Sequence, residues 1–133
     1  MKFRALQVVC IFLASVTWVA CGAGHPTIQR ITVSPATASA AVRPPSDVQF
    51  TATAVFDNNT SRELTVADGL TWKTSDATVA SINDNGSATC HVVGQATITA
   101  TAPTQLNVTI NNGINNTSSN VSGTALLSCM PSP

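Results

Sequence analysis

Short stretches in which apolar and small polar residues alternate recur along the chain from residue 28 onward. The clearest is the range 47–56, DVQFTATAVF. Its apolar side chains would share one face: Val48, Phe50, Ala52, Ala54 and Phe56. The range 96–102 repeats the pattern, with three threonines on the opposite face. A period of two is typical of a strand that buries one face and exposes the other. The pattern therefore predicts an all-β chain of antiparallel strands in two packed sheets.

The same periodicity, with turn residues between the runs, sets the predicted strands. They are 28–34, 38–42, 47–56, 63–66, 70–74, 78–82, 87–93, 96–102 and 121–128. Pro35 ends the first strand because it cannot donate to a ladder and it restricts the residue before it. The range 83–86, Asn-Asp-Asn-Gly, predicts a hairpin turn. We expect the strands 87–93 and 96–102 to pair with each other across Gly94-Gln95.

Six apolar side chains of these strands are expected to form the core: Val48, Phe50, Phe56, Trp72, Ile82 and Ile98. Trp72 would be the largest of them. A tryptophan on the third main strand is common in immunoglobulin-like sandwiches.

Composition supports one β-rich domain in the 133 residues. Charged residues make up only 9% of the chain, and tyrosine is absent. Threonine and valine favour strands, while serine and asparagine favour turns. A disordered chain is not indicated, because 44% of the residues are apolar.

The first 20 residues read as a secretory signal peptide. Lys2 and Arg4 give it a positive start, and the apolar run 6–20 is shorter than the ~20 residues of a spanning helix. A short buried helix is the alternative interpretation of this run.

The sequence Val19-Ala20-Cys21-Gly22 resembles the lipobox of bacterial lipoproteins, although Trp18 stands where leucine is usual. The resemblance implies that Cys21 is lipidated and becomes the new N-terminus, with residues 21–27 as a tether. The protein would then be extracytoplasmic and anchored in the membrane of the bacterial envelope. Ordinary signal cleavage nearby is the alternative.

Charge and cysteine content narrow the partners and the compartment. Four basic and six acidic side chains follow residue 20, a net charge of −2, and this argues against nucleic acid as a partner. Cys10 would leave with the signal. Cys90 and Cys129 remain, and in an oxidising compartment they most simply form one disulfide. Two free thiols or a bridge between chains are the alternatives.

Three segments carry a resemblance to the bacterial immunoglobulin-like domain, group 2. They are IQRITVSPATASAAV, QFTAT and TWKTSDATVASINDNGSATCHVVGQATITATA. The resemblance covers residues 29–102 and 121–128. It implies one Ig-like β-sandwich over 28–129 and a C-terminal stub at 130–133. A polar insert at 103–119 stands where the family has a short link.

The function that this resemblance implies is non-enzymatic. Group 2 domains recur in bacterial surface proteins and in adhesins such as intimin-like proteins. A surface module for structure, adhesion or partner binding is therefore expected, with an unidentified protein or glycan as ligand. The alternative is a carbohydrate-binding module. A partner is expected to contact the insert or the loop 57–61, unless the insert is merely a tolerated surface loop.

The residues themselves supply no catalytic set, metal site or cofactor site. His91 follows Cys90 on a predicted strand and would point to the opposite face, so the two form a poor nucleophile–base pair. Zinc needs four ligands, or three and a water, and the histidines and cysteines are too few and too scattered. The oxygen-rich ranges 57–59 and 84–86 could attract calcium, but turn chemistry explains them better.

Overall fold

Ten strands and one 3₁₀ turn make up the regular structure of the chain, in a computed structural model that describes residues 25–106 and 119–132. The strands are β1 (Ile28–Ser34), β2 (Thr37–Ala41), β3 (Asp47–Gln49), β4 (Thr51–Phe56), β5 (Ser61–Glu63), β6 (Thr71–Thr74), β7 (Ala80–Ile82), β8 (Ser87–Cys90), β9 (Gly94–Pro103) and β10 (Asn120–Met130). The 3₁₀ helix is Val66–Asp68. The predicted signal peptide, Cys21 and the middle of the insert lie outside the described residues.

The strands form two layers. A four-stranded sheet has the order β2-β10-β9-β6, and the opposite layer consists of two three-stranded sheets, β1-β4-β5 and β3-β8-β7. The chain joins these two smaller sheets directly, because β4 follows β3 after one residue. Buried residues from all three sheets belong to one core cluster. The predicted Ig-like β-sandwich is therefore confirmed.

Alternating small and large side chains fill the space between the layers. Along β9 the residues Ala96, Ile98, Ala100 and Ala102 are buried, and the threonines between them are not. The largest fully buried side chains are Phe50, Ile98, Leu127 and Cys90. Alanines on the central strands let the two layers approach, so much of the packing is against backbone and methyl groups.

Three of the six expected core residues are only partly buried. Val48, Trp72 and Ile82 pack against the core cluster from its border, whereas Phe50, Phe56 and Ile98 lie inside it. The reason is their position in the sheets. Trp72 lies on β6, an outer strand of the four-stranded sheet, and Ile82 lies on β7, an outer strand of its own sheet. An inward-facing side chain on an outer strand has a neighbour strand on one side only.

The expected single strand 47–56 is divided at Phe50. Its first part, β3, pairs with β8, and its second part, β4, pairs with β1. Between them the Phe50 N–H donates to the Gly86 carbonyl at 2.8 Å. Gly86 has φ +81°, and a Cβ there would lie 2.4 Å from the Phe50 carbonyl oxygen. A glycine is therefore needed at position 86, where the turn 83–86 packs against the break between β3 and β4.

The expected pairing of strands 87–93 and 96–102 is wrong. β8 ends at Cys90 and pairs with β3 and β7, whereas β9 pairs with β10 and β6 in the other layer. The N–H groups of His91 and Val92 donate to the Val79 carbonyl at 2.8 and 3.3 Å, which turns the chain out of its sheet. The residues between β8 and β9 are thus a crossing between layers and not a hairpin.

The hairpin at 83–86 is present as predicted and joins β7 to β8. The Asn83 side-chain oxygen accepts from the N–H groups of Asn85 and Ser87, both at 3.0 Å. The turn is therefore closed by its own asparagine, as turn chemistry leads one to expect.

The outer strand expected at 63–66 lies two residues earlier, as β5. Its place is taken by the 3₁₀ helix, because the Asp68 carboxylate accepts from the Thr65 N–H at 2.9 Å and closes a tight turn. Within the described ranges, the structure has no helix long and apolar enough to cross a membrane.

Candidate functional site

Three segments of the chain meet at one end of the sandwich, which we call the tether end. The N–H and hydroxyl of Thr27 donate to the Asp57 carboxylate at 3.3 and 3.0 Å. The Ile28 N–H donates to the Thr104 carbonyl at 2.8 Å, and the Thr104 N–H donates to the Ser119 carbonyl at 2.9 Å. The N-terminal segment, the loop 57–61 and the two described ends of the insert are thus neighbours.

A cavity of about 370 Å³ opens at the tether end. It is lined by His25, Pro26, Phe56, Thr60, Ser61, Arg62 and Leu106. Phe56 is only 6% exposed, so its ring offers little surface for stacking. The cavity brings together the two segments that the sequence nominates for recognition, since Thr60 and Ser61 belong to the loop and Leu106 to the insert.

Two basic side chains, His25 and Arg62, line this cavity. The guanidinium of Arg62 already forms an ion pair with Asp68. The guanidinium donates to both Asp68 carboxylate oxygens, at 3.0 and 2.6 Å, and lies 5.9 Å from the centre of the Phe56 ring. Its hydrogen bond lowers the pKa of Asp68 to about 2, helped by the Thr65 backbone N–H. The same hydrogen bond raises the pKa of Arg62. The paired guanidinium is poorly suited to bind a free anion.

Trp72 borders a smaller groove of about 130 Å³ on the side of the sandwich. The groove runs between the 3₁₀ helix and the turn 83–86, and its floor includes Phe50, Leu70 and Trp72. A Cβ on Gly86 would lie 3.2 Å from Trp72 Cε2, so the turn packs closely on the indole. Trp72 therefore closes the gap left where β3 and β4 diverge.

The opposite end of the sandwich, which we call the disulfide end, contains the bond expected from the sequence. Cys90 on β8 and Cys129 on β10 form a disulfide with a Cα–Cα distance of 5.6 Å. The bond joins the two layers. Beside it lies an open groove of about 400 Å³, lined by Val42, Arg43, His91, Val92, Val93, Pro131 and Ser132.

A serine–histidine contact at this end was not foreseen from the sequence. Ser81 Oγ and His91 Nε2 are 2.8 Å apart, both on exposed side chains. His91 lies just after β8 and not on a strand, and the pairing of β7 with β8 brings Ser81 beside it. No spacing rule could have revealed the contact, because the two residues are ten positions apart and meet only through the pairing of β7 with β8. With both groups in water, we interpret it as a surface hydrogen bond.

In both oxygen-rich turns an asparagine side chain accepts hydrogen bonds from the turn itself. Asn58 Oδ1 accepts from the Thr60 N–H at 3.0 Å and from its hydroxyl at 2.6 Å, in parallel with the asparagine turn at 83–86. Over residues 25–106 and 119–132, no three histidine, cysteine or acidic side chains are grouped so that they could hold a metal ion. The aromatic side chains in these ranges are buried or half-buried, so none forms an open platform for a sugar ring.

Comparison with known proteins gives one result for the family. A search of curated proteins finds no match for the chain. The sequence model of the bacterial Ig-like domain (group 2) matches residues 27–111, which begins at the first hydrogen-bonded residue of the tether end and includes β1 to β9. Such domains are typically non-catalytic and extracellular or at the cell surface. The chain belongs to the bacterial Ig-like domain family, group 2.

Proposed function

We propose that this protein is a lipid-anchored Ig-like module of the bacterial envelope, which serves structure, adhesion or partner binding and carries out no catalysis. The observation that carries the proposal is the short distance along the chain between the candidate lipidation site and the domain. Cys21 precedes Thr27, the first residue bonded to the loop 57–61, by six residues.

This spacing would limit how far an anchored domain can move from the membrane. Six extended residues span at most about 20 Å, so a lipid on Cys21 would hold the tether end close to the bilayer. The disulfide end would then point away from it. The net charge of −2 after residue 20 gives no attraction to anionic headgroups, so the acyl chains themselves must supply the attachment.

The orientation affects where a partner can bind. The loop 57–61 and the two described ends of the insert lie at the tether end. A ligand that contacts them would be a component of the envelope or a partner able to reach the membrane surface. The disulfide end, where Val92 and Val93 line the groove, would be accessible to larger partners. Both side chains are more than half exposed.

Substitution of Cys21 tests the anchor. Cys21→Ser should move the protein from the membrane fraction to the soluble fraction, or leave an uncleaved precursor, because the thiol that receives the diacylglyceryl group is lost. Fractionation, together with intact-mass measurement of the N-terminal peptide, provides the readout. Cys10→Ser, within the signal, is the matched control and should change neither location nor mass after processing. Wild-type protein recovered soluble with an unacylated N-terminus at another residue would refute lipidation.

A further inference from the structure

Two parts of the fold line the groove at the disulfide end, and backbone hydrogen bonds fix both. The first is the crossing 91–93 between the layers, where the N–H groups of two residues donate to the Val79 carbonyl at 2.8 and 3.3 Å. The second consists of the residues that follow β2 and β10, where the Val42 N–H donates to the Met130 carbonyl at 3.0 Å. The backbone on both sides of the groove is therefore tied to the strands.

The disulfide limits the distance between these two linings. Cys90 directly precedes the crossing 91–93, and Cys129 lies two residues before Pro131. The Cα atoms of the two cysteines are 5.6 Å apart. Because a covalent bond joins the segments that lead into both linings, the groove is largely pre-formed, which lowers the cost of binding a ligand.

Exposed apolar side chains are concentrated at this groove. Of the five large apolar side chains exposed in the described part of the chain, Val92, Val93 and Met130 lie at the disulfide end, at 54%, 55% and 49% exposure. The two valines line the groove directly, together with Val42 and Pro131. Single exposed apolar residues are ordinary, but a cluster of them marks a surface suited to contact another apolar group.

The ionisable side chains of the groove are basic, although the chain after residue 20 has a net charge of −2. Arg43 and His91 line the groove, and none of the described acidic side chains does. Among the residues that the structure describes, Arg43 forms no ion pair. Asp47, the acidic residue nearest to it in the sequence, accepts instead from the Thr89 hydroxyl at 2.6 Å. The guanidinium is thus available to an anion from another molecule.

We propose that this groove binds an acidic segment of a partner protein, in which a carboxylate lies next to an aliphatic side chain. Arg43 would donate two parallel hydrogen bonds to the carboxylate, and His91, held by its contact with Ser81 at 2.8 Å, would supply a further donor. Val92 and Val93 would cover the aliphatic group.

The chemistry of the groove favours a peptide over a glycan. None of its lining residues is aromatic, so a sugar ring would have no face to stack on. Its volume of about 400 Å³ lies within the ~300–1,000 Å³ of typical ligand sites. The inference rests on the proposed function, because a lipid on Cys21 would turn this end away from the membrane and toward other proteins.

Selection from a displayed library of random heptapeptides tests this site. The bait is the full chain with Cys21→Ser, immobilised near its N-terminus so that the disulfide end is free. We expect the selected peptides to be enriched in Asp or Glu next to Val, Leu or Ile. The affinity of these peptides should fall about tenfold or more in Arg43→Gln, because hydrogen bonds between charged groups are lost. It should fall about threefold or more in Val93→Ser, because apolar contact is lost.

Two matched substitutions separate the groove from general effects of the surface. Arg30→Gln removes an exposed arginine of β1, and Val66→Ser removes a valine of 53% exposure on the 3₁₀ helix. Both should leave peptide affinity unchanged, and all four variants should unfold close to the wild-type temperature, since each changes an accessible side chain.

Three results would overturn the proposal: no enrichment of any peptide, enriched peptides without acidic residues, or equal affinity of Arg43→Gln and wild type. The selection is made in solution on lipid-free protein, whereas the Cys21→Ser fractionation reports on the anchor. Failure of the anchor and failure of this site are therefore distinguishable.

Discussion

Arg62 and Asp68 form the one ion pair in the described part of the chain, and it ties β5 to the 3₁₀ helix. Because the pKa of Asp68 is lowered to about 2, its stabilising contribution is complete above its usual pKa near 4 and is lost as the pH falls through 2. Asp68→Asn should therefore reduce the free energy of unfolding at pH 7 by about 1 kcal/mol, since Arg62 is half exposed and solvent screens the pair.

The pH dependence separates this effect from a simple packing defect. Urea unfolding at pH 7 should show the difference between wild type and Asp68→Asn. The difference should shrink as the pH falls from 4 to 2, while the wild-type carboxyl becomes protonated, and should be largely gone at pH 2. Glu63→Gln is the matched control, because Glu63 is exposed on β5 and outside the pair. A destabilisation by Asp68→Asn that is equal at both pH values would assign its cost to the turn geometry.

Trp72 is half-buried, and this lowers the expected effect of removing it. Trp72→Ala should destabilise by about 2–3 kcal/mol, below the ~3–5 of a fully buried aromatic side chain. Trp72 is the one tryptophan after residue 20, so its fluorescence isolates this site. The emission should be blue-shifted and partly quenched by iodide, with Trp72→Phe losing less stability than Trp72→Ala. Emission at the wavelength of free indole would show that the indole is not packed on the turn 83–86.

At the residue level, the alternation of side chains was enough to place Phe50, Ile98 and the alanines of β9 inside the sandwich. It was not enough for Trp72 and Ile82, because alternation tells which way a side chain points but not whether its strand is an outer one. Burial on an outer strand depends on the order of strands in the sheet, which is a property of the whole chain.

At the level of elements, strand content could be predicted more readily than strand pairing. Apolar and polar residues alternate without interruption in the range 47–56, yet this range contributes strands to two sheets. The strands separate at Phe50, whose N–H donates to the carbonyl of Gly86, a residue remote in sequence. The ranges 87–93 and 96–102 have the composition of a hairpin, yet the Val79 carbonyl accepts from the N–H groups of His91 and Val92 and turns the chain out of the sheet of β8. Contacts between residues remote in sequence decided both cases.

The same limit applies to the candidate sites. The cysteine pair could be predicted by elimination, since only two cysteines remain beyond the predicted lipobox. The meeting of Thr27, Asp57 and Thr104 at the tether end, and of Ser81 with His91, required the register of β1, β4, β7 and β8.

The insert can be tested as an element because its described ends already meet. The Thr104 N–H donates to the Ser119 carbonyl at 2.9 Å, so a short link could replace the residues between. Deletion of residues 105–118 with a two-residue Asn-Gly link should leave the thermal transition nearly unchanged, because β9 and β10 keep their pairing. If the insert recognises a partner, proteins captured from envelope extracts by the wild type should be lost. Loss of the cooperative transition would make the insert a structural part of the sandwich.

At the scale of the whole molecule, the Cys90–Cys129 bond adds a covalent side-chain connection between the two layers to the backbone crossings. The family match ends before β10, so the strand that carries Cys129 lies beyond the matched residues. Both cysteines are almost fully buried, at 1% and 3% exposure, and a reductant therefore needs an opening of the disulfide end to reach them. Reduction should accordingly be slow in the native protein and fast in urea.

Loss of the bond should lower the free energy of unfolding by about 4 kcal/mol, because closing a loop of this size restricts the unfolded chain. Urea unfolding of the oxidised protein against a Cys90→Ser, Cys129→Ser pair measures this difference, with Cys21→Ser in both to remove the remaining thiol. A single Cys90→Ser control should be no more stable than the pair. Intact mass after alkylation provides the decisive check. Alkylation of two thiols without reductant would show that the disulfide is absent. A covalent dimer that dissociates on reduction would show that the disulfide joins two chains.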